Sequence, residues 1–207
     1  MDAIIPFLVL LSAYLLGSIP SALIVSQRAV GVDIRKLGDG NMGARNISRT
    51  IGWKAGLMVA LIDISKGMAA VLIAKATGLN LFWQIIAATC VVLGHDFPLF
   101  ASFRGGQGFA TCIGVLTALA PIESVLGLSL YGAIYWTIRN SDLGASLGIG
   151  TLIMLEWMMG EPRQLVFWSI LIILSVPAKK AFDRPRRLAL QQTPEETEIN
   201  KIPGSSA

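Results

Sequence analysis

Histidine and cysteine are scarce in this chain, with one and two residues respectively among 207. A single imidazole, His95, leaves any histidine-dependent step one candidate and excludes a metal site built on clustered histidines. Cys90 and Cys112 both fall in apolar sequence and read as small hydrophobes, not as a disulfide or metal pair. Charge is scarce as well: 14% of residues are charged and 54% hydrophobic, where soluble domains carry roughly 25% charged residues. That deficit excludes an ordinary soluble enzyme. No Gly-Lys-Ser/Thr follows the glycine-rich stretches, which excludes a Walker A loop. The spacing His-x4-Asp is also missing, because Phe100 stands where the carboxylate would be.

What the chain has instead is long apolar runs, with a mean hydropathy of +0.64. A bilayer crossing takes about 17–25 apolar residues, and residues 3–26 and 55–77 are the clearest cases. Further runs lie at 80–94, 144–160 and 164–178, and 108–138 holds two more segments broken at Pro121-Ile122-Glu123. These make seven, although the shorter ones leave five or six crossings with re-entrant pieces as the alternative. The expected fold is therefore all-α, a polytopic membrane helical bundle forming one domain over 1–180, without internal repeats. Residues 181–207 form a polar tail with three prolines, expected to be partly disordered. Met1-Asp2 lacks the basic start of a cleaved signal, so 3–26 is read as a retained helix.

Cation placement sets the expected orientation. With seven crossings, Arg28, Arg35, Lys36, Arg45, Arg49, Lys54, Arg104, Arg139, Lys179, Lys180, Arg184, Arg186, Arg187 and Lys201 share one side. The other side receives Lys75 and Arg163, and Lys66 stays inside a helix. The positive-inside rule then puts the N-terminus outside and the C-terminus in the cytoplasm. A pI near 9.3 is accounted for by this topology and by anionic lipid headgroups, so no nucleic-acid partner is expected. Trp53, Trp83, Trp136, Trp157 and Trp168 lie near segment ends, as interfacial aromatics do.

Two loops on the cationic side carry the candidate chemistry. The first is Gly38-Asp39-Gly40-Asn41-Met42-Gly43-Ala44-Arg45-Asn46, with Arg49 three residues on. Glycines 38, 40 and 43 are expected to take positive φ and to present backbone N–H groups to an anion. Arg45 and Arg49 share a face if a helix starts near Ala44, and a guanidinium grips phosphate through paired donors. Upstream, Gly17-Ser18-Ile19-Pro20-Ser21 bends or breaks the first span and shapes the same pocket. The second loop runs from Gly94-His95-Asp96-Phe97-Pro98 to Phe103-Arg104-Gly105-Gly106-Gln107-Gly108, where a helix N-terminus and Arg104 favour an anion. The plainer alternatives are a glycine-rich membrane-edge turn with topogenic arginines, and a His95-Asp96 pair that only caps a helix end.

Asp63 and Lys66, at i and i+3 in the middle of the second span, are expected to form an ion pair, with Lys66 as an electropositive pocket wall the alternative. Glu156 has no partner close in sequence and is expected to hydrogen-bond within the bundle, while Ser141-Asp142 adds a weaker candidate for the pocket.

These ordered blocks resemble the bacterial acyl-phosphate-dependent glycerol-3-phosphate acyltransferases over roughly residues 10–180. The resemblance rests on Gly17-Ser18-Ile19-Pro20, Gly38 to Arg49, Asp63-Ile64-Ser65-Lys66-Gly67, Gly94 to Pro98, and Phe103 to Thr111. It implies a seven-span body in the bacterial inner membrane with a cytoplasmic active face. The implied reaction moves a fatty acyl group from acyl phosphate to the 1-position of glycerol 3-phosphate, yielding lysophosphatidic acid for phospholipid synthesis. No cofactor or metal is implied, and the bilayer and a membrane partner enzyme are candidate partners.

The reading assigns Arg49, Asn41 and His95 to catalysis. Phosphate binding falls to Gly38, Gly40, Gly43, Arg45, Arg49, Arg104, Gly105, Gly106, Gln107 and Gly108, with Asp39, Asn46, Asp63 and Lys66 in support. All three motifs depart from the family pattern at some positions. Asp39 replaces a serine, with Arg45, in place of a threonine, at hand to neutralise it. Gln107 replaces a lysine. Ala181 and Arg184 stand where a histidine and an asparagine precede an Arg-Leu pair, here Arg187-Leu188. These departures keep open a non-catalytic or substrate-altered paralogue that binds a phosphorylated lipid precursor or a partner enzyme.

Overall fold

The structure, a computed structural model, describes residues 4–192, with the backbone alone at Ser141, Asp142, Gln191 and Gln192. Its regular elements are helical: α1 (Ile4–Gly17), α2 (Ser21–Val30), α3 (Ala44–Thr50), α4 (Trp53–Ala76), α5 (Leu81–Asp96), α6 (Phe109–Leu119), α7 (Pro121–Ile138), α8 (Ser141–Met158), α9 (Arg163–Phe182) and α10 (Arg184–Gln192). The anticipated breaks occur where the sequence places its prolines. Pro20 separates α1 from α2. Pro121 occupies the first turn of α7, where its missing N–H costs nothing.

Four segments are long and apolar enough to cross a bilayer: Ile4–Val30, Trp53–Ala76, Leu81–Ala101 and Arg163–Phe182. Phe109–Leu119 and Leu143–Met158 are apolar but shorter. At about 1.5 Å per residue, α6 reaches ~16 Å, half of a hydrocarbon core of roughly 30 Å. The all-helical membrane architecture is therefore present, with α6 as a half-length insert. Large apolar side chains on the outer faces, among them Phe7, Leu61, Ile73, Leu126, Phe167 and Leu171, are exposed. A belt of that kind suits lipid and not water.

Three helix pairs are held at backbone contact by reciprocal glycines. A Cβ on Gly17 would clash with the Val91 carbonyl, and one on Gly94 with the Tyr14 carbonyl, joining α1 to α5. Gly67 and Gly114 do the same for α4 and α6 against the Thr111 and Ile64 carbonyls. Gly127 and Gly148 each meet the other's carbonyl and close the α7–α8 hairpin. Helices in lipid gain no hydrophobic drive toward each other, so such small-residue contacts supply their packing. Further along, Lys75 Nζ donates to the Ala118 carbonyl at 2.6 Å. Helices α4 and α6 thus run side by side in the same direction, and the start of α6 lies level with Asp63, ten residues into α4.

The main core joins α1, α4, α5, α6 and α9 around Ala88, Val91, Val115 and Leu165. A second core, around Ala22, Ile34, Met42, Ile47 and Val59, packs under the first glycine loop.

One expectation is corrected here. Trp168 is buried, not interfacial, and its indole N–H donates to Thr89 Oγ1 at 2.9 Å. The head of the polar tail is helical, since α9 runs to Phe182 and α10 follows it. The disorder anticipated further along falls on 193–207, outside the described residues. The suggested role of the Ser141-Asp142 side chains also lies outside them.

Candidate active site

The first loop is built by one side chain. Asn46, in the first turn of α3, accepts a hydrogen bond on Oδ1 from the Asp39 N–H (3.2 Å). Its Nδ2 donates to the carbonyls of Leu37 and Asn41, both at 3.0 Å. Gly38 and Gly40 take the left-handed conformation, with φ of 58° and 68°. Gly43 does not: its φ is −122°, and a Cβ there would press only on the tip of the Asn41 side chain, at Nδ2. Asp39 Oδ1 accepts from the Asn41 N–H (3.1 Å), closing an Asx turn. Asn41 itself is buried, and its Oδ1 has no partner among the described residues. A helix does begin at Ala44, and Arg45 and Arg49 both lie on its exposed face.

The carboxylate of Asp39 is neutralised from the far end of the chain, by the arginine of the Arg187-Leu188 pair and not by the expected Arg45. Arg187 of α10 donates from Nη2 to Asp39 Oδ2 at 2.7 Å, across 148 positions of chain. Leu190 lies so close to Gly40 that a Cβ there would clash with it. Among the loop's flanking charges, burial pushes the Asp33 carboxyl up, but the hydrogen bonds and charge of Arg35 outweigh it and hold the group below its ordinary value. Arg35 Nη1 also reaches the Ala101 carbonyl (3.3 Å) and ties this region to the second loop.

The second loop wraps the end of α5. The Gly106 N–H donates to the His95 carbonyl at 3.2 Å. A Cβ on Gly105 would clash with that carbonyl, and one on Gly106 with His95 Nε2. Gly106 also lies against the Met42 carbonyl, so the two glycine loops touch directly. Gly108 takes a φ of 71° and starts α6, as the sequence implied, beside Asp96 Oδ1. Arg104 is exposed and Gln107 half-buried.

Under both loops lies the expected ion pair, extended into a cluster. Asp63 and Lys66 are 2.9 Å apart and almost wholly buried. Asp63 Oδ1 also accepts from Ser21 Oγ (2.7 Å) and lies 3.5 Å from His95 Nδ1. Lys66 Nζ donates to the Gly17 carbonyl (3.1 Å) where α1 ends. A carboxylate does face the lone histidine, therefore, but it comes from another span. With Nδ1 turned to Asp63, His95 presents Nε2 toward Gly106 and a cleft of about 170 Å³ lined also by Pro20, Ser21 and Met42.

A third segment completes the site. Lys179 and Asp183, buried at the end of α9, form an ion pair. Lys179 Nζ sits 4.9 Å from the centre of the Phe97 ring, and Phe182 packs edge-on against Phe97 at 6.0 Å. Tyr14 donates to the Phe97 carbonyl at 2.9 Å. Sequence reasoning counted Lys179 and Arg187 as topogenic charges and set Arg187 in the third motif only as the Arg-Leu pair, with no role at the site. The local signal they carry, a basic cluster after an apolar run, is the one topology produces.

Asn41 Oδ1, Asp63 Oδ2, Asp96 Oδ1 and Thr111 Oγ1 are buried without partners among the described residues. Unmatched polar atoms of that kind are costly and call for a partner, whether water, ion or ligand. On the far side of α6 an apolar cleft of about 480 Å³ begins at Phe109, directly after the second glycine loop. It continues past Ile113 and Leu116 to Gly127, Gly148 and Leu152. At the opposite end of the bundle, Glu156 is buried and accepts from Ser169 Oγ at 2.9 Å, the intrabundle bond expected of it.

Comparison with known proteins is consistent over nearly the whole described chain. The family model described as glycerol-3-phosphate acyltransferase matches residues 7–185. Glycerol-3-phosphate acyltransferase 1 of Deinococcus radiodurans is 44% identical over 141 residues, covering 68% of this chain and 71% of that protein. The glycerol-3-phosphate acyltransferase of Thermus thermophilus is 37% identical over 170 residues, covering 77% and 85%. The crystal structure of PlsY (YgiH), an integral membrane glycerol 3-phosphate acyltransferase, in its glycerol 3-phosphate form, superposes with a TM-score of 0.78 at 30% identity. That match covers 89% of this chain and 92% of the other. By sequence and by fold, this chain belongs to the glycerol-3-phosphate acyltransferase family.

Proposed function

We propose that this chain transfers a fatty acyl group from acyl phosphate to the 1-hydroxyl of glycerol 3-phosphate, releasing phosphate and lysophosphatidic acid. Acylation of glycerol 3-phosphate in phospholipid synthesis is the activity of its family. The donor and the residue roles are read from the site. One observation carries the reading: both glycine loops meet at His95, and the second of them opens directly onto the apolar cleft. A phosphorylated head and a hydrocarbon tail fit that junction together.

Acyl phosphate is a mixed anhydride with a good leaving group, so the chemistry needs chiefly positioning and charge stabilisation. In this reading the first loop, with Asn41 and the Arg45–Arg49 face, holds glycerol 3-phosphate. Gly105, Gly106, Gln107 and Gly108, with Arg104 at the rim, hold the leaving phosphate. Asp63 keeps His95 turned so that Nε2 hydrogen-bonds a substrate oxygen, and the hydroxyl proton passes to the departing phosphate. The acyl chain lies along α6 between Phe109 and Leu152. We further place the protein in the bacterial plasma membrane as a seven-pass bundle, with the N-terminus outside and the site facing the cytoplasm. The cation distribution supports that orientation.

The test is a dual-substrate assay on purified protein. Phosphate release that requires both acyl phosphate and glycerol 3-phosphate is the expected result. Saturable binding of glycerol 3-phosphate without turnover would favour a non-catalytic paralogue.

A further inference from the structure

We propose that Arg187 is a phosphate-binding residue of this site and that Asp39 is the group that aims it. The inference deepens the reading above and rests on it. One carboxylate oxygen, Asp39 Oδ2, takes a single bond from Arg187 Nη2 at 2.7 Å. A guanidinium has five N–H donors in a fixed plane, so one bond fixes its direction and leaves others to spare. One of these, Nε–H, is buried with no partner among the described residues.

The carboxylate is itself fixed. Oδ1 accepts from the Asn41 N–H, and the Asp39 N–H is held by Asn46. The helix that carries Arg187 is fixed too. Asp183 at its root pairs with Lys179, the Arg187 N–H donates to the Asp183 carbonyl (3.1 Å), and Leu190 packs on Gly40. Flanking the same carboxylate is Asn41, whose Oδ1 is buried and equally unmatched. A donor and an acceptor left open on two residues bonded to one anchor suit a small polyol phosphate. Its phosphate oxygen takes the Nε–H, and its hydroxyl donates to Asn41 Oδ1. Asp39 therefore acts as the brace of a phosphate-binding guanidinium and does not repel the ligand, because its charge is offset in place.

A simple strap between α10 and the loop is the competing role, and the two can be separated. On the detergent-solubilised full chain, Arg187→Gln and Asp39→Asn are each expected to raise the KM for glycerol 3-phosphate about tenfold, the scale of one lost charge-assisted hydrogen bond. Inhibition by inorganic phosphate should weaken in parallel. The double variant should cost no more than Arg187→Gln alone. The exchange Asp39→Arg with Arg187→Asp re-forms the ion pair with the guanidinium on the wrong side, and should recover melting temperature but not KM. Recovery of KM by that exchange, or an unchanged KM in Arg187→Gln, overturns the proposal. Calorimetric titration with glycerol 3-phosphate alone repeats the comparison without turnover. A wild-type chain that binds the ligand but releases no phosphate would sink the catalytic reading while leaving Arg187 testable. A wild-type chain that fails to bind it overturns both.

Discussion

Asn46 contributes more to the shape of the first loop than any charge in it, because three backbone groups from three different residues end on its carboxamide. Asn46→Ala leaves those groups unmatched and should destabilise the protein by about 2 kcal/mol, with a larger rise in the KM for glycerol 3-phosphate than fall in kcat. Gly106→Ala is a sharper probe, since the added methyl meets His95 Nε2 and the Met42 carbonyl together. Overpacking of this sort costs about 1–3 kcal/mol, and turnover should fall much further than stability in a melting and activity comparison. Asp33 offers a test with pH. Its folded pKa is held below the reference 3.8, so its contribution is present above that value and disappears as pH falls through the lower folded value. Asp33→Asn should flatten the stability profile only at that acid end. The sequence pointed to the glycines and His95 as candidates, which the structure brings together, and it anticipated the Asp63–Lys66 pair from spacing and depth. Asp63 as the partner of His95 was out of reach, since no local pattern joins positions on different spans.

Among the elements, the glycines sort into two kinds by what stands opposite them. Gly67→Ala would drive a methyl into the Thr111 carbonyl at the α4–α6 contact, a backbone that cannot yield, and should cost at least ~2 kcal/mol. Gly132→Ala and Gly150→Ala, on α7 and α8, face open space and should gain up to about 1 kcal/mol from helix propensity. Thermal melting in detergent reads both signs. Helix α6 bears the acyl-chain assignment: Ile113→Trp should fill the cleft beside it and shift preference toward shorter acyl phosphates in competition assays. The breaks at Pro20 and Pro121 were legible because proline acts locally. The short reach of α6 was legible as the re-entrant alternative, because Pro121 cuts the apolar run before a full crossing. Helix α10 was not, because its arginines and glutamines carry no apolar run and it is ordered by Arg187 and Leu190 meeting Asp39 and Gly40 in the first loop.

For the molecule as a whole, the proposed orientation has its own test. Reporter fusions after Arg104 and after Gln192 should both report the cytoplasm, and a fusion after Thr77 the opposite side. What the whole chain adds to its parts is closure: two glycine loops and the α9–α10 junction, drawn from the start, middle and end of the sequence, meet around one histidine. They meet level with Asp63, about 15 Å along α4 at ordinary helical rise, with the apolar cleft opening beside them. In the proposed arrangement, a nascent lysolipid at that depth already has its hydrocarbon half among neighbouring chains. It can depart sideways, like a swimmer leaving a pool by the shallow steps, without ever being handed to water. Turnover should then track the fluidity of the surrounding bilayer more closely than the viscosity of the medium.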